Sequence, residues 1–192
     1  MENKLKTQRL AFNTKHSEVG TVFWITGLSG AGKTTIGKLL YDKLRLIKKN
    51  VVFLDGDIMR EIFGNGLGYS IEDRKKLSKC YSKLCKELSK QGLDVVCATI
   101  SMFHDCRKRN KENISSYKEI YLKVSKSILL KRDQKQLYSK SSVKQVNSVV
   151  GVDLEIEEPR ESDIVIENNG VNTPEEITSY LFESLISVEN YK

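Results

Sequence analysis

Gly27-Leu28-Ser29-Gly30-Ala31-Gly32-Lys33-Thr34-Thr35 decides the reading of this 192-residue chain. The stretch satisfies G-x-x-x-x-G-K-[ST], with Gly27, Gly32, Lys33 and Thr34 at the fixed positions, and it follows the apolar run Val22-Phe23-Trp24-Ile25. Leu39 and Leu40 continue it as a helix-like stretch. Strand, glycine-rich loop and helix form the context in which this pattern cradles a phosphate. The glycines let backbone N–H groups curl around the anion, and the helix N-terminus adds the positive end of its dipole. In such a loop Lys33 reaches the β- and γ-phosphates and the Thr34 hydroxyl ligates Mg²⁺. Residues 27–35 are therefore expected to bind a nucleoside triphosphate.

Four further short, β-branched runs read as buried strands: Val51-Val52-Phe53-Leu54, residues 95–100, residues 119–124 and Ile164-Val165-Ile166. Leu77, Tyr81, Leu84 and Leu88 recur at helical spacing ahead of Gly92, a candidate C-cap. Ile177, Leu181, Leu185 and Ile186 mark a final helix with Thr173 as N-cap and Pro174 at its first position. Strands alternating with helices predict an α/β fold, a P-loop NTPase-type three-layer sandwich with a mainly parallel sheet and its ligands at the carboxyl ends of the strands. Residues 1–20 read as a polar N-terminal arm and residues 21–192 as one domain. Within it, the polar segment 133–163 reads as a mobile lid over a phosphate-transfer site.

Composition narrows the function. The chain is 39% hydrophobic and 30% charged. It has no apolar run near the roughly 20 residues of a membrane span, and its polar N-terminus lacks an apolar leader core. A cytoplasmic protein with no membrane partner is expected. The net charge of +7 raises nucleic-acid binding. That excess sits in residues 74–90 and 107–111, expected to be exposed helix faces, with no nucleic-acid motif beside it. A positive field serves an anionic small-molecule substrate, which is the expected partner instead. Cys80, Cys85, Cys97 and Cys106 lack C-x-x-C spacing and read as free, mostly buried thiols.

A second motif closes the second strand: Leu54-Asp55-Gly56-Asp57, then Ile58-Met59-Arg60. Two carboxylates at a strand's carboxyl end stand beside a P-loop in such a sheet. One can hold the Mg²⁺ shell and the other receive a hydroxyl proton, while Arg60 faces the same pocket from a helical turn. The plainer alternative, Asp55 as a helix cap, stays open for that residue taken alone.

With these elements the chain resembles the adenylylsulfate kinases over roughly residues 20–185. The resemblance is carried by Trp24 to Gly30, by Leu54-Asp55-Gly56-Asp57 with Arg60, and by Leu67-Gly68-Tyr69-Ser70 with Asp73-Arg74. It continues through Ile100-Ser101 with Phe103 and Arg107, then Arg132-Asp133 with Lys135, Leu137, Tyr138 and Lys140, and Gly151 with Asp153. It implies transfer of the ATP γ-phosphate to the ribose 3′-hydroxyl of adenosine 5′-phosphosulfate, with ATP and Mg²⁺ held by Gly27 to Thr35. It further implies that Thr34 and Asp55 serve the metal and that Lys33 and Asp57 are catalytic, Asp57 engaging the acceptor hydroxyl. Arg60 and Arg74 clamp the acceptor's anionic group, and Tyr69 stands where the family stacks a Phe on the base. Ile100 and Ser101 line the acceptor pocket, Arg132 lies beside the ATP, and Lys140 lies near the acceptor. Members of the family commonly dimerise, so a homodimer is one expectation.

The departures from the family pattern cluster on the acceptor side. Leu77 stands where the family has an Asn contacting the acceptor, Met102 replaces a Pro, and Val149 replaces the second Phe around the base. Leu154-Glu155-Ile156 replaces Pro-Tyr-Glu. A lost stacking partner removes on the order of 1–3 kcal/mol of base affinity, and a lost amide changes which base is accepted. The alternative acceptor is cytidine diphosphoramidate, used by kinases of this family in capsule pathways. A P-loop regulatory protein without catalysis would be expected to have lost Lys33, Thr34, Asp57 or Arg132, and all four are present.

Overall fold

Val22-Phe23-Trp24-Ile25-Thr26 has no polar residue until its end, which suits a strand covered on both faces. The computed structural model, in which residues 19–64, 66–132 and 157–189 are described, places it as β1 (Val22–Thr26) at the centre of a sheet. There follow α1 (Lys33–Ile47), β2 (Val51–Asp55), α2 (Gly56–Phe63), α3 (Ile71–Lys90), β3 (Asp94–Ala98) and α4 (His104–Asn113). β4 (Tyr117–Lys123), α5 (Lys126–Arg132), β5 (Ile164–Glu167) and α6 (Pro174–Glu189) complete the chain. The strands lie in the order β2-β3-β1-β4-β5 and every pair is parallel.

Alternate side chains of β1 go to opposite layers. Phe23 and Ile25 pack with Ile36, Leu40 and Leu44 of α1 and with Ile177, Leu181 and Leu185 of α6. Val22 and Trp24 pack on the other side with Met59 of α2, Leu77, Tyr81 and Cys85 of α3, and Cys106 of α4. The three-layer α/β sandwich is thus the fold, with a wholly parallel sheet. Cys85, Cys97 and Cys106 are buried free thiols and Cys80 is exposed.

The helix ends follow their sequence signals. Thr173 Oγ1 accepts from Glu176 N at 3.2 Å while Thr173 N donates to the Glu176 carboxylate at 2.8 Å, a reciprocal capping box at the start of α6. α3 ends in a Schellman motif, with Gly92 N donating to Ser89 O at 2.9 Å and Leu93 N to Leu88 O at 3.2 Å.

Three expectations are corrected. β5 is not buried: among the described residues it is the edge strand beside β4, and its Ile164 and Ile166 join the α1–α6 core while Val165 faces outward. β3 ends at Ala98, so Thr99 and Ile100 belong to the loop above it. Arg107 is not on an exposed helix face. Its Nε lies 3.8 Å from Glu119 Oε1 of β4, with the two side chains 6% and 2% exposed.

That buried pair anchors a strap, residues 157–163. Arg107 Nη2 donates to Glu157 O at 2.8 Å, and His104 N donates to the Glu157 carboxylate. Ser162 Oγ donates to Glu119 Oε1 at 2.7 Å, Glu119 N to Asp163 Oδ2 at 2.8 Å, and Tyr121 OH to Glu158 Oε1 at 2.9 Å. Removing one partner of a buried ion pair strands the other, at a cost of about 3–5 kcal/mol. Glu119→Ala is therefore expected to lower the melting temperature by roughly 10 °C. A shift within a degree or two in scanning calorimetry would show that the pair is not structural.

Candidate active site

The sheet order makes one crevice. From β1 the chain moves to β2 on one side, and from β3 it moves to β4 on the other. The loops after β1 and β3 therefore diverge at a topological switch point, where open α/β sheets bind ligands. Two of the three catalytic-looking segments found in the sequence start there, and the third starts at the end of β2.

The first is residues 27–32. Gly27 at φ 152° and Gly32 at φ 90° take conformations that favour glycine, and each is also too crowded for a side chain. A Cβ on Gly27 would lie 2.6 Å from Leu122 O, and one on Gly32 would lie 2.9 Å from Asn168 Nδ2. No side chain caps the start of α1, so the helix dipole and first-turn amides face the loop. Lys33 Nζ donates to Leu28 O at 2.7 Å and so spans the loop. Arg132 of α5 reaches over the same loop, its Nη1 3.5 Å from Gly30 O. Thr34 and Thr35 are exposed at the mouth, Leu28 and Ala31 are buried, and Ser29 is half-buried.

Asn168 is a loop partner that sequence reading missed. It directly follows β5, its N donates to Lys123 O at 2.8 Å, and its Nδ2 donates to Ala31 O at 2.9 Å. Asn-Asn-Gly at residues 168–170, immediately after a strand, was the available signal.

The second segment is Asp55 to Arg60. Asp55 Oδ1 accepts from Asp57 N at 2.8 Å and Ile58 N at 3.4 Å, while Oδ2 accepts from Thr34 Oγ1 at 2.7 Å. The cap reading and the site reading both hold, one on each oxygen. Asp57 lies exposed in the first turn of α2. Arg60, one turn on, donates to Gly68 O and places its guanidinium 4.0 Å from the centroid of the Tyr69 ring. Arg74 flanks Tyr69 as well, at 5.4 Å, and its Nε donates to Tyr69 O at 3.0 Å. Burial first, then the like charge of Arg60, lowers the Arg74 pKa below its ordinary value. Tyr69 itself is 59% exposed, so its ring is open to a ligand. Asp73 holds this turn: its carboxylate accepts from Ser70 Oγ and Gly68 N, and the Ser70 bond leads in lowering its pKa.

The third is the loop after β3. Thr26 Oγ1 donates to Ile100 O at 2.5 Å, tying this loop to the end of β1. Ile100 is half-buried, whereas the Ser101 hydroxyl turns inward onto Ser78 of α3. Tyr81 OH contacts Gly56 O at 3.5 Å, and burial pushes its pKa up to about 12, so it stays a neutral phenol. Lys140, Val149, Gly151 and Asp153 lie outside the described residues, as does most of the segment read as a lid.

The profile of the adenylylsulphate kinase family matches residues 19–167, the span containing all three segments. The chain belongs to that family. It is 42% identical over 164 residues to a cytidine diphosphoramidate kinase of Campylobacter jejuni, covering 85% of this chain and 95% of the relative. It is 34% identical over 148 residues to a probable adenylyl-sulfate kinase of Archaeoglobus fulgidus, covering 77% and 96%. Among solved structures it is similar to the Mycobacterium tuberculosis APS kinase in complex with AMPPNP and APS. That likeness has a TM-score of 0.79 and 26% identity, and it covers 86% of this chain and 97% of the other. As an adenylylsulphate kinase family member the chain is a phosphotransferase acting on a hydroxyl acceptor, and the reading as a P-loop regulatory protein is set aside. No helix among the described residues is long and apolar enough to cross a membrane.

The double use of Asp55 separates by substitution. Asp55→Ala removes the cap and is expected to cost about 1–2 kcal/mol in urea unfolding. Asp55→Asn, itself a good cap, is expected to cost much less. Equal losses for the two variants would mean that the cap is not what Asp55 contributes to stability.

Proposed function

We propose that this kinase transfers the γ-phosphate of ATP to the ribose 3′-hydroxyl of a cytidine diphosphate derivative, cytidine diphosphoramidate. The observation that carries the choice of acceptor is Leu77. Where the family presents an amide to the acceptor, this chain has a leucine 2% exposed, clustered with Met59, Tyr81, Phe103 and Cys85. Met102, in place of the family's proline, is likewise buried. A wall without that amide gives an adenine edge no partner at this position, and a polar edge buried without a partner costs about 1–3 kcal/mol. Identity points the same way, at 42% with the cytidine diphosphoramidate kinase and 34% with the Archaeoglobus enzyme.

The chemistry is positioning and charge neutralisation. Lys33, spanning the P-loop, neutralises charge on the transferred phosphoryl group, and the amides at the start of α1 hold the phosphates of ATP. Thr34 Oγ1 donates its hydrogen bond to Asp55 Oδ2 and so turns its lone pairs outward, making these two hard oxygens a fitting side for Mg²⁺. When bound, the ion screens the β- and γ-phosphates. Asp57 takes the proton of the 3′-hydroxyl as it attacks. Arg60 and Arg74 hold the acceptor's anionic group, Tyr69 stacks on its base, Ile100 and Ser101 line its pocket, and Arg132 packs beside the ATP. Lys140 is assigned to the acceptor side by resemblance alone.

Two measurements test this. In a coupled ADP-release assay, kcat/KM for cytidine diphosphoramidate is expected to exceed that for adenosine 5′-phosphosulfate by at least tenfold. The opposite preference would return the enzyme to sulfate activation and make the change at Leu77 neutral. Asp57→Asn is expected to lower kcat on the order of 100-fold while ATP affinity stays within a few fold. Loss of ATP affinity with turnover preserved at saturation would remove Asp57 from the acceptor hydroxyl.

A further inference from the structure

α3 carries Arg74 near its start and Ser78 four residues later, so the two leave the same face of the helix. Ser78 is 1% exposed, and its hydroxyl accepts a hydrogen bond from Ser101 Oγ at 2.7 Å. Ser101 has a φ of 25°, the only positive φ outside glycine among the described residues. A non-glycine residue stays in that region only where its surroundings over-determine it. Here the surroundings are specific. Thr26 Oγ1 fixes the preceding carbonyl, Ile100 O, and Phe103 N donates to Ser101 O at 2.9 Å. Ser78 fixes the side chain. Ser78 is itself seated against Cys106 Sγ of α4, and Ser82 Oγ donates to its carbonyl at 2.8 Å.

We propose that Ser78 is a positioning residue for the nucleotide acceptor. By holding Ser101 in its left-handed conformation, the Ser78 hydroxyl keeps the Ile100–Ser101 wall in register with the Arg74 guanidinium carried on the same helix. It does so without touching the acceptor. The inference rests on the acceptor site read above and concerns whichever nucleotide that site takes. Without the Ser78 hydroxyl, the buried Ser101 O–H loses its acceptor, and only the backbone bonds at Ile100 O and Ser101 O are left to offset the cost of the positive φ. The wall then relaxes away from Arg74. The ATP side is unaffected, because the P-loop hangs from β1 and Ile100 O remains tied to Thr26.

The test is steady-state kinetics on the full chain, varying Mg-ATP and the preferred acceptor separately. Ser78→Ala is expected to raise the acceptor KM about tenfold and to leave the ATP KM within about twofold. Ser82→Ala removes another buried hydroxyl from the same helix, also close to Cys106, but it does not touch Ser101, and both KM values are expected to stay unchanged. Ser101→Ala and the double variant Ser78→Ala/Ser101→Ala are expected to match Ser78→Ala, because all three delete one and the same bond. An unchanged acceptor KM in Ser78→Ala overturns the proposal, as does an equal rise in the ATP KM or an equal effect of Ser82→Ala. If Ser78→Ala does not fold, the comparison of Ser101→Ala with Ser82→Ala decides in the same way. Failure of the acceptor reading is distinguishable: the unsubstituted chain would bind Mg-ATP yet turn over no nucleotide acceptor, and the inference would fall with it.

Discussion

At the carboxyl edge of the sheet, the hydrogen bond from Thr34 Oγ1 to Asp55 Oδ2 joins the P-loop helix to the end of β2. In the sheet β3 separates β1 from β2, so the P-loop helix and the end of β2 meet across the intervening strand. Asp55 can make that contact because its other oxygen is bound to the first amides of α2. A carboxylate committed at both oxygens cannot rotate. The start of α2 is thereby fixed relative to the P-loop, and with it Asp57 in the first turn and Arg60 one turn later. Phosphoryl transfer depends on such fixed separations more than on bond-making by the protein.

The two substrate sides are built from different materials. The proposed donor side is backbone: glycines at positive φ, a helix start, and carbonyls held by Lys33, Asn168 and Arg132. The acceptor side is made of side chains, with two arginines crowding one exposed tyrosine. Partial burial strains the charge of Arg74, and the like charge of Arg60 adds to it. With the acceptor assigned as proposed, its anionic group would relieve both, turning the unfavourable charge of the free protein into affinity on binding. Side chains such as Leu77 and Met102 can change there without disturbing the P-loop backbone. That is why the departures from the family pattern gather on the acceptor side.

What was legible in the sequence follows the same division. The P-loop, the strand before it and the D-G-D-x-x-R turn are backbone geometries tied to fixed spacings, and they stand where the spacing put them. The core helices α3 and α6 were legible from apolar periodicity and their caps. α4 was expected as a helix at residues 107–111, but its buried face was not legible, because that face is Cys106, Arg107 and Asn110. Periodicity of apolar residues cannot register a helix whose inner face is polar, and so Arg107 looked like surface charge. Asn168 and Ser78 were missed for a related reason: the side chain of each acts through a hydrogen bond to a residue far away in the chain, and only Asn168, in Asn-Asn-Gly after a strand, carried a local signal.

The buried Arg107–Glu119 pair also bears on the link between the two substrate sides. Arg132, at the end of α5, rests against Gly30 of the P-loop. The next described residue in the chain, Glu157, donates its N–H to Met102 O at 3.3 Å, in the loop that carries Ile100 and Ser101. Arg132 is therefore tethered to the P-loop and Glu157 to the loop after β3. The second tether is firm because the Glu157 carbonyl takes a hydrogen bond from a buried guanidinium whose charge is answered by Glu119. An exposed ion pair contributes little and would give a weak anchor, whereas one shielded between α4 and β4 holds the strap and the acceptor loop together. A buried charge in α4, which reads in the sequence as part of an exposed helix face, is thus part of what holds the loop carrying Ile100 and Ser101.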